Sequence, residues 1–438
     1  MPAASARKAE PRLKFLAIEE RPHSNLLFAP SAGGTISNTF RELSKEMHLP
    51  EIPPWGPGSL AAEWPVLIEC ASPRPDTRGL EELLRRELDW AALFTLAEEH
   101  GLIGLLAMRL QDFGETLVPP DIRQRLQARH RAQLLFTLGM TAELFRLLGR
   151  LGDAGIATLV VKGPVLSVQA YGDSGLRQYV DLDLLVWHKE VRRATEIMTA
   201  AGYEPDVPLN AIIAGKIPGE YLFTRTGTKL LVELHTEHTF RYFPRSLPLG
   251  KLFERQIRVV VDAHEVPALS AEDELVLICI HGAKHFWERL MWIADVAAMV
   301  TRQKNLDWRR ATAAARESGA ERMLHVGLWL AADILHARIP EDVAAAVRGD
   351  AGAAKLAAKI KEWLPAAGYA PPGLAARAAF RMRMRGGPIA GPAYLLRLML
   401  SPTEEDWVEG AEEKRSWLLD GLKRPLRLLS KYGRAGKK

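Results

Sequence analysis

"VVKGPVLSVQAYGDSGLRQYVDLDLLVWHKE", residues 160–190, carries two aspartates, Asp181 and Asp183, inside an otherwise apolar strand. Residues two apart in a strand share a face, so both carboxylates point one way while Leu182 and Leu184 point into the opposite layer. A buried charge without a partner is costly, so this strand requires positive charge beside it. A D-x-D at a strand end can be a plain solvated pair. Here the apolar flanks and the turn that precedes them argue for carboxylates that bind a metal.

Two neighbouring stretches supply what the aspartates need. In "KLLVELHTEH" the same alternation puts Glu233, His235 and Glu237 on one face, with Val232 and Leu234 behind. Three carboxylates on neighbouring strands form a hard-oxygen cage suited to Mg2+ or Mn2+, and two such ions would orient a phosphoryl transfer and neutralise the leaving pyrophosphate. In "VVKGP" a strand ends at Lys162 and Gly163, and Pro164 stands at the first position of a helix. Such a junction offers backbone N–H groups and a positive helix end to an anion, with Lys162 and Arg177 adding charge. The plainer alternative is an ordinary strand-to-helix turn, but the D-x-D eighteen residues later makes the combination specific.

"LVVKGPVLSVQAYGDSGLRQYVDLDLLV", a following helix that ends in "AGY", and then "VELH" together resemble the uncharacterised nucleotidyltransferase family of the DNA polymerase β-like superfamily. The resemblance runs from about Asp89 through "HGAKHFWERLMWIADVAAMV" to the terminal "RPLRLLSKYG". It implies an α+β fold with a small mixed sheet and flanking helices, two metal ions held by three carboxylates, and transfer of a nucleoside monophosphate from an NTP to an acceptor hydroxyl. Asp181 and Asp183 match the paired aspartates and Glu233 the third carboxylate. Lys162 and Gly163 stand where the superfamily usually has Gly-Gly or Gly-Ser, so a serine hydroxyl is absent and a proline follows. Lys162, Gly163 and Arg177 are then the expected nucleotide contacts.

Outside this block the chain divides by pattern. Residues 1–58 mix Pro, Gly and Ser with weak periodicity and read as a poorly ordered leader. Residues 59–155 carry helical three-and-four spacing, broken at Pro119 and Pro120; residues 156–268 are the mixed core; residues 269–438 return to helix. Ser270 is expected to cap one long helix through "DELVLICIHGAKHFWERLMWIADVAAMV". On that helix His281, His285, Glu288, Trp292, Asp295 and Met299 would form one stripe too polar for a core, so His281, His285 and Asp295 are candidates for the acceptor side of a cleft. A satisfied hydrogen-bond network between domains is the main alternative, and zinc held by the two histidines the lesser one, since no further ligands are evident.

Of 438 residues 47% are hydrophobic, enough for real cores, and no apolar run approaches the roughly 18 residues of a membrane span. With no secretory signal pattern either, a cytoplasmic protein is expected. Cys70 and Cys279 fit neither a metal spacing nor a disulfide framework and read as reduced. The net charge of +5 is uneven: residues 414–438 hold nine Lys or Arg against Asp420, which leaves the remainder negative. Nucleic acid is therefore conceivable as a partner but disfavoured, because no stacking aromatics accompany the charge. A non-catalytic nucleotide-binding module of the same fold is the other alternative to an enzyme acting on an NTP and an unknown acceptor.

Overall fold

The computed structural model of the protein describes residues 62–206, 210, 212, 219–228, 230–236, 248–366, 374–385, 391–393 and 396. The leader, Glu237 and the basic end at 414–438 lie outside these. Four short helices come first: α1 (Glu63–Ala71), α2 (Thr77–Leu84), α3 (Trp90–Glu99) and α4 (Ile103–Leu110). The 34-residue α5 (Pro120–Asp153) follows, with Pro120 at its first turn, where the missing N–H costs nothing. Next come β1 (Thr158–Val161), α6 (Gly163–Tyr171), β2 (Asp181–Val186), α7 (Val191–Ala200), β3 (Tyr203–Pro205), β4 (Glu220–Arg225), β5 (Leu231–His235), α8 (Leu249–Glu254), β6 (Ile257–Val261) and β7 (His264–Ala268). The chain then returns to helix in α9 (Ala271–Lys284), α10 (Leu290–Arg302), α11 (Trp308–Glu317), α12 (Glu321–Leu335), α13 (Glu341–Gly349), α14 (Ala351–Trp363) and α15 (Leu374–Met384). Among the described residues no helix is long and apolar enough to cross a membrane.

The strands form one mixed sheet in the order β3-β4-β5-β2-β1-β7-β6. β2 runs antiparallel to β1 and parallel to β5, so the start of β2 meets the end of β1 and the start of β5. Alternation gives the sheet two different faces. Val160, Leu182, Leu184, Val232 and Leu234 are fully or almost fully buried against Met140, Leu144 and Leu147 of α5 and Ala194 and Met198 of α7. Each such leucine or valine contributes about 1.5–3 kcal/mol on burial. On the other face Leu159, Val161 and Leu185 join the core of the helical half, while Asp181, Asp183, Glu233 and His235 occupy the alternate positions of β2 and β5 beyond them. At the far edge Glu143 of α5 accepts hydrogen bonds from Tyr203 (2.5 Å), Arg225 (2.8 Å) and Arg146 (2.9 Å), which fixes β3 and β4 to the long helix.

Ser270 caps α9 as expected: its Oγ accepts from the Asp273 N–H at 3.3 Å, and Asp273 in turn receives Arg255 at 2.6 Å. The single long helix after it is not found. α9 stops at Lys284, and Phe286 and Trp287 both adopt left-handed φ, +58° and +54°. The Trp287 N–H bonds the Gly282 carbonyl and the Phe286 N–H the Ala283 carbonyl, the paired bonds of a Schellman stop. Phe286 thus holds the position usually taken by glycine. Burial explains how: Trp287 lies against Gly282 and Gly327, where an added Cβ would meet its ring at 2.6 and 3.0 Å, and both Phe286 and Trp287 are fully buried.

Candidate active site

Register brings the carboxylates together. Asp183 stands directly opposite Glu233 on β5 and opposite Val161 on β1, so Lys162, the next residue, arrives beside Asp183. Lys162 Nζ is 3.0 Å from Asp183 Oδ2 and His235 Nε2 is 2.9 Å from Asp183 Oδ1. His235 also lies 3.4 Å from Glu233 Oε2. These two cations answer the charge problem that the strand poses. On the outer side β4 adds Glu220, paired in register with His235 and 3.4 Å from Lys284 Nζ.

The electrostatics follow from burial and these contacts. Burial alone would raise the Asp183 carboxyl, but Lys162 and His235 hold it well below the usual carboxylate range. Glu233 is pushed up to about 8 by burial and by the charge of Glu220, whereas Glu220 is brought down to about 2 because Lys284, His235 and the bond from Glu233 outweigh its own burial. The two glutamates therefore repel each other, and Glu233 is the one that holds a proton more readily. His235, which burial would lower, is raised to about 10 by its bonds to Asp183 and Glu233 and is a cation. Asp181, half-buried, is raised by burial and by Asp183.

The strand-to-helix turn has an unusual backbone. Lys162 has φ +54° and ψ −139°, a conformation that L side chains rarely take and that costs about 1–3 kcal/mol; Gly163 follows with φ +47°. Glu274 of α9 reaches across to accept the Lys162 N–H at 3.1 Å, so that N–H, one of those the sequence would offer to an anion, is already engaged. Arg177 is 6% exposed and its Nε donates to Asp295 Oδ2 at 3.0 Å, while Asp295 Oδ1 accepts from Tyr171 at 2.9 Å. α10 is thereby tied to α6 and to the loop before β2.

Because α9 and α10 are separate helices, the expected stripe does not lie on one of them. His281 and His285 still meet, with ring centroids 4.5 Å apart, and both contact Trp292 at 5.4 and 5.2 Å. Burial and the nearby charge of Lys162 and Lys284 keep both histidines well below their ordinary pKa, so they are neutral. Asp295 is not with them but on Arg177. His281 is half-exposed; His285 is buried, and its Nδ1 has no partner. Among the described residues the one cluster with three ligand atoms within 4.8 Å is Asp183, Glu233 and His235, which does not include this histidine pair. Cys70 and Cys279 are free and buried.

Sequence reasoning missed three members of this neighbourhood and placed a fourth, His235, only as a face-mate of Glu233. Glu220 lay in a strand with no clear alternation before it, Lys284 at the end of a helix read as continuing, and Glu274 in an acidic first helical turn that looks like any other.

Residues 86–336 match the model of a family described as an uncharacterised nucleotidyltransferase. No curated protein matches. Among solved structures, the lincosamide antibiotic adenylyltransferase LnuA in its lincomycin-bound form is 13% identical, covering 31% of this chain and 83% of that one at a TM-score of 0.25. The antibiotic-resistance factor ANT(2'')-Ia is 10% identical over 41% of this chain and 90% of its own, at 0.30. An antigenic nucleotidyltransferase-like protein from Paracoccidioides brasiliensis is 16% identical over 44% of this chain and 90% of its own, at 0.25. These are distant likenesses, each confined to less than half of this chain.

Proposed function

The chain belongs to the uncharacterised nucleotidyltransferase family, and on that premise we propose that it moves a nucleoside monophosphate from an NTP to an acceptor hydroxyl and releases pyrophosphate. The observation that carries this reading is the register of Asp183 and Glu233 on adjacent strands beside Lys162, with Asp181 on the same face. The ligand atoms that lie together are those of Asp183, Glu233 and His235; Asp183 and Glu233 would hold a divalent cation, Asp181 on the same strand face would add a third carboxylate, and His235 would join them on giving up its proton. Mg2+ or Mn2+ bound there would neutralise phosphate charge and acidify the acceptor hydroxyl.

The remaining roles belong to the chain's own groups. Lys162 Nζ, which rests on Asp183, is the cation that meets a phosphate oxygen, and Gly163 at the start of α6 lets the phosphate approach the backbone. Arg177 supports the same region from the other side, with Asp295 fixing its guanidinium. On the acceptor side His281 is the reachable residue, since it is half-exposed, whereas His285 is 1% exposed and acts from behind; Asp295, also 1% exposed, serves Arg177 instead. The family match agrees with the nucleotidyltransferase family that the sequence motif resembles.

Calorimetric titration with each NTP in the presence of Mg2+ tests the reading. Binding is expected for the wild type, lost on chelation and strongly weakened in Lys162→Ala. Equal binding with and without the divalent cation would speak against the metal-dependent form of the proposal.

A further inference from the structure

Glu274 is fully buried and sits in the first turn of α9, yet its side chain leaves its own helix. Oε1 accepts the Lys162 N–H from 112 residues away, and Oε2 has no hydrogen-bond partner. The residue that it holds is the one non-glycine of the β1–α6 turn with positive φ. A lysine in that conformation persists only where surrounding contacts over-determine it. Lys162 is otherwise fixed by its carbonyl, which accepts the Leu166 N–H at 3.1 Å, and by its Nζ on Asp183, so Glu274 holds the N–H of one strained residue and Asp183 its side-chain end.

We infer that Glu274 is a positioning residue for the nucleotide grip: its carboxylate locks the left-handed Lys162 backbone that directs the Lys162 ammonium into the carboxylate cluster. The inference rests on the reading of Lys162 as a phosphate contact. Burial raises the Glu274 carboxyl to about 7, but the clamp uses an acceptor oxygen that both protonation states possess. An amide oxygen would serve equally, whereas a shorter side chain would not reach.

The test is the affinity for a non-hydrolysable NTP analogue with Mg2+, measured by calorimetry beside thermal melting. Glu274→Ala is expected to weaken binding about tenfold, the equivalent of one lost hydrogen-bond contact. Glu274→Gln should stay within about twofold of wild type. In a Lys162→Ala background Glu274→Ala should cost nothing further, because Glu274 acts through Lys162. If the alanine variant does not fold, Glu274→Asp takes its place, keeping the charge while withdrawing the oxygen, and should weaken binding where Gln does not. Wild-type affinity in Glu274→Ala while Lys162→Ala binds poorly would overturn the positioning role and leave the grip standing. A full additional loss in the Lys162→Ala background would do the same. Wild-type affinity in Lys162→Ala would instead bring down the grip, and the role of Glu274 with it.

Discussion

Asp181 and Asp183 look alike in the sequence and differ in their surroundings. Asp183 is 2% exposed and carries both Lys162 and His235, so it balances two buried cations. Removing the anion strands them. Asp183→Asn is therefore expected to lose about 3 kcal/mol of stability, the usual cost of breaking a buried ion pair, together with turnover. Asp181 is half-buried and repelled by its neighbour. Asp181→Asn relieves that repulsion, so it should abolish turnover with a melting temperature at or above that of the wild type. Chemical denaturation beside pyrophosphate release checks both, and equal stability losses would contradict the division of roles. This division was not legible in the sequence, where alternation places the aspartates on one face but says nothing of register. Only the pairing of Asp183 with Val161 and Glu233 distinguishes them.

At the scale of elements, legibility depended on local signals. β1, β2, β5 and β6 were readable because β-branched and apolar runs mark them, and Pro120 and Ser270 marked helix starts. β7 was not, since "HEVPA" holds a proline and two polar residues, and its hairpin with β6 turns through Asp262 and Ala263, both at positive φ (+46° and +66°) where Asp-Gly is the usual signal. Ala263 is exposed and pays for its left-handed backbone, so Ala263→Gly should stabilise by about 0.5–1 kcal/mol in a denaturation curve. A loss of stability would mean that the turn is less strained than its φ implies. The stop of α9 was hidden for the same reason: Phe286 stands where glycine is expected, and packing of Trp287 on Gly282 enforces it. Gly282→Ala should cost about 1–3 kcal/mol by forcing that ring off the helix. A neutral Gly282→Ala would show that the ring has room to move and that something else ends the helix.

Across the whole molecule, the N-terminal helices are joined to the C-terminal ones at His100. Its Nδ1 accepts the Leu290 N–H at 3.1 Å, and its carbonyl accepts the Met291 N–H at 3.2 Å. Burial, with Arg289 nearby, lowers its pKa to about 3, so it is neutral in the folded chain. The unfolded chain binds a proton at the ordinary value near 6.5. This histidine thus contributes stability that is fully present above about 6.5 and is lost as pH falls from there towards 3, at about 1.4 kcal/mol per pH unit. Glu233 and Glu274, with raised values, act in the opposite sense, so a comparison of variants isolates the effect. His100→Asn keeps an acceptor for Leu290 and should remove that acid slope; an unchanged slope would mean that His100 is not the group responsible. How the helical halves meet was invisible in the sequence, because a lone histidine at a helix end carries no mark of its partner 190 residues away.

Nucleotidyl transfer at Asp181, Asp183 and Glu233 would leave a labelling pattern of its own. The most direct measurement offers the purified protein, with Mg2+ and a cell extract as the source of acceptor, NTPs labelled either at the α- or at the γ-phosphate. Nucleotidyl transfer predicts that α-label appears on an acceptor while γ-label leaves as pyrophosphate, and that Asp181→Asn does neither. Label moving to an acceptor from the γ-position, or unchanged α-label transfer by Asp181→Asn, would contradict it.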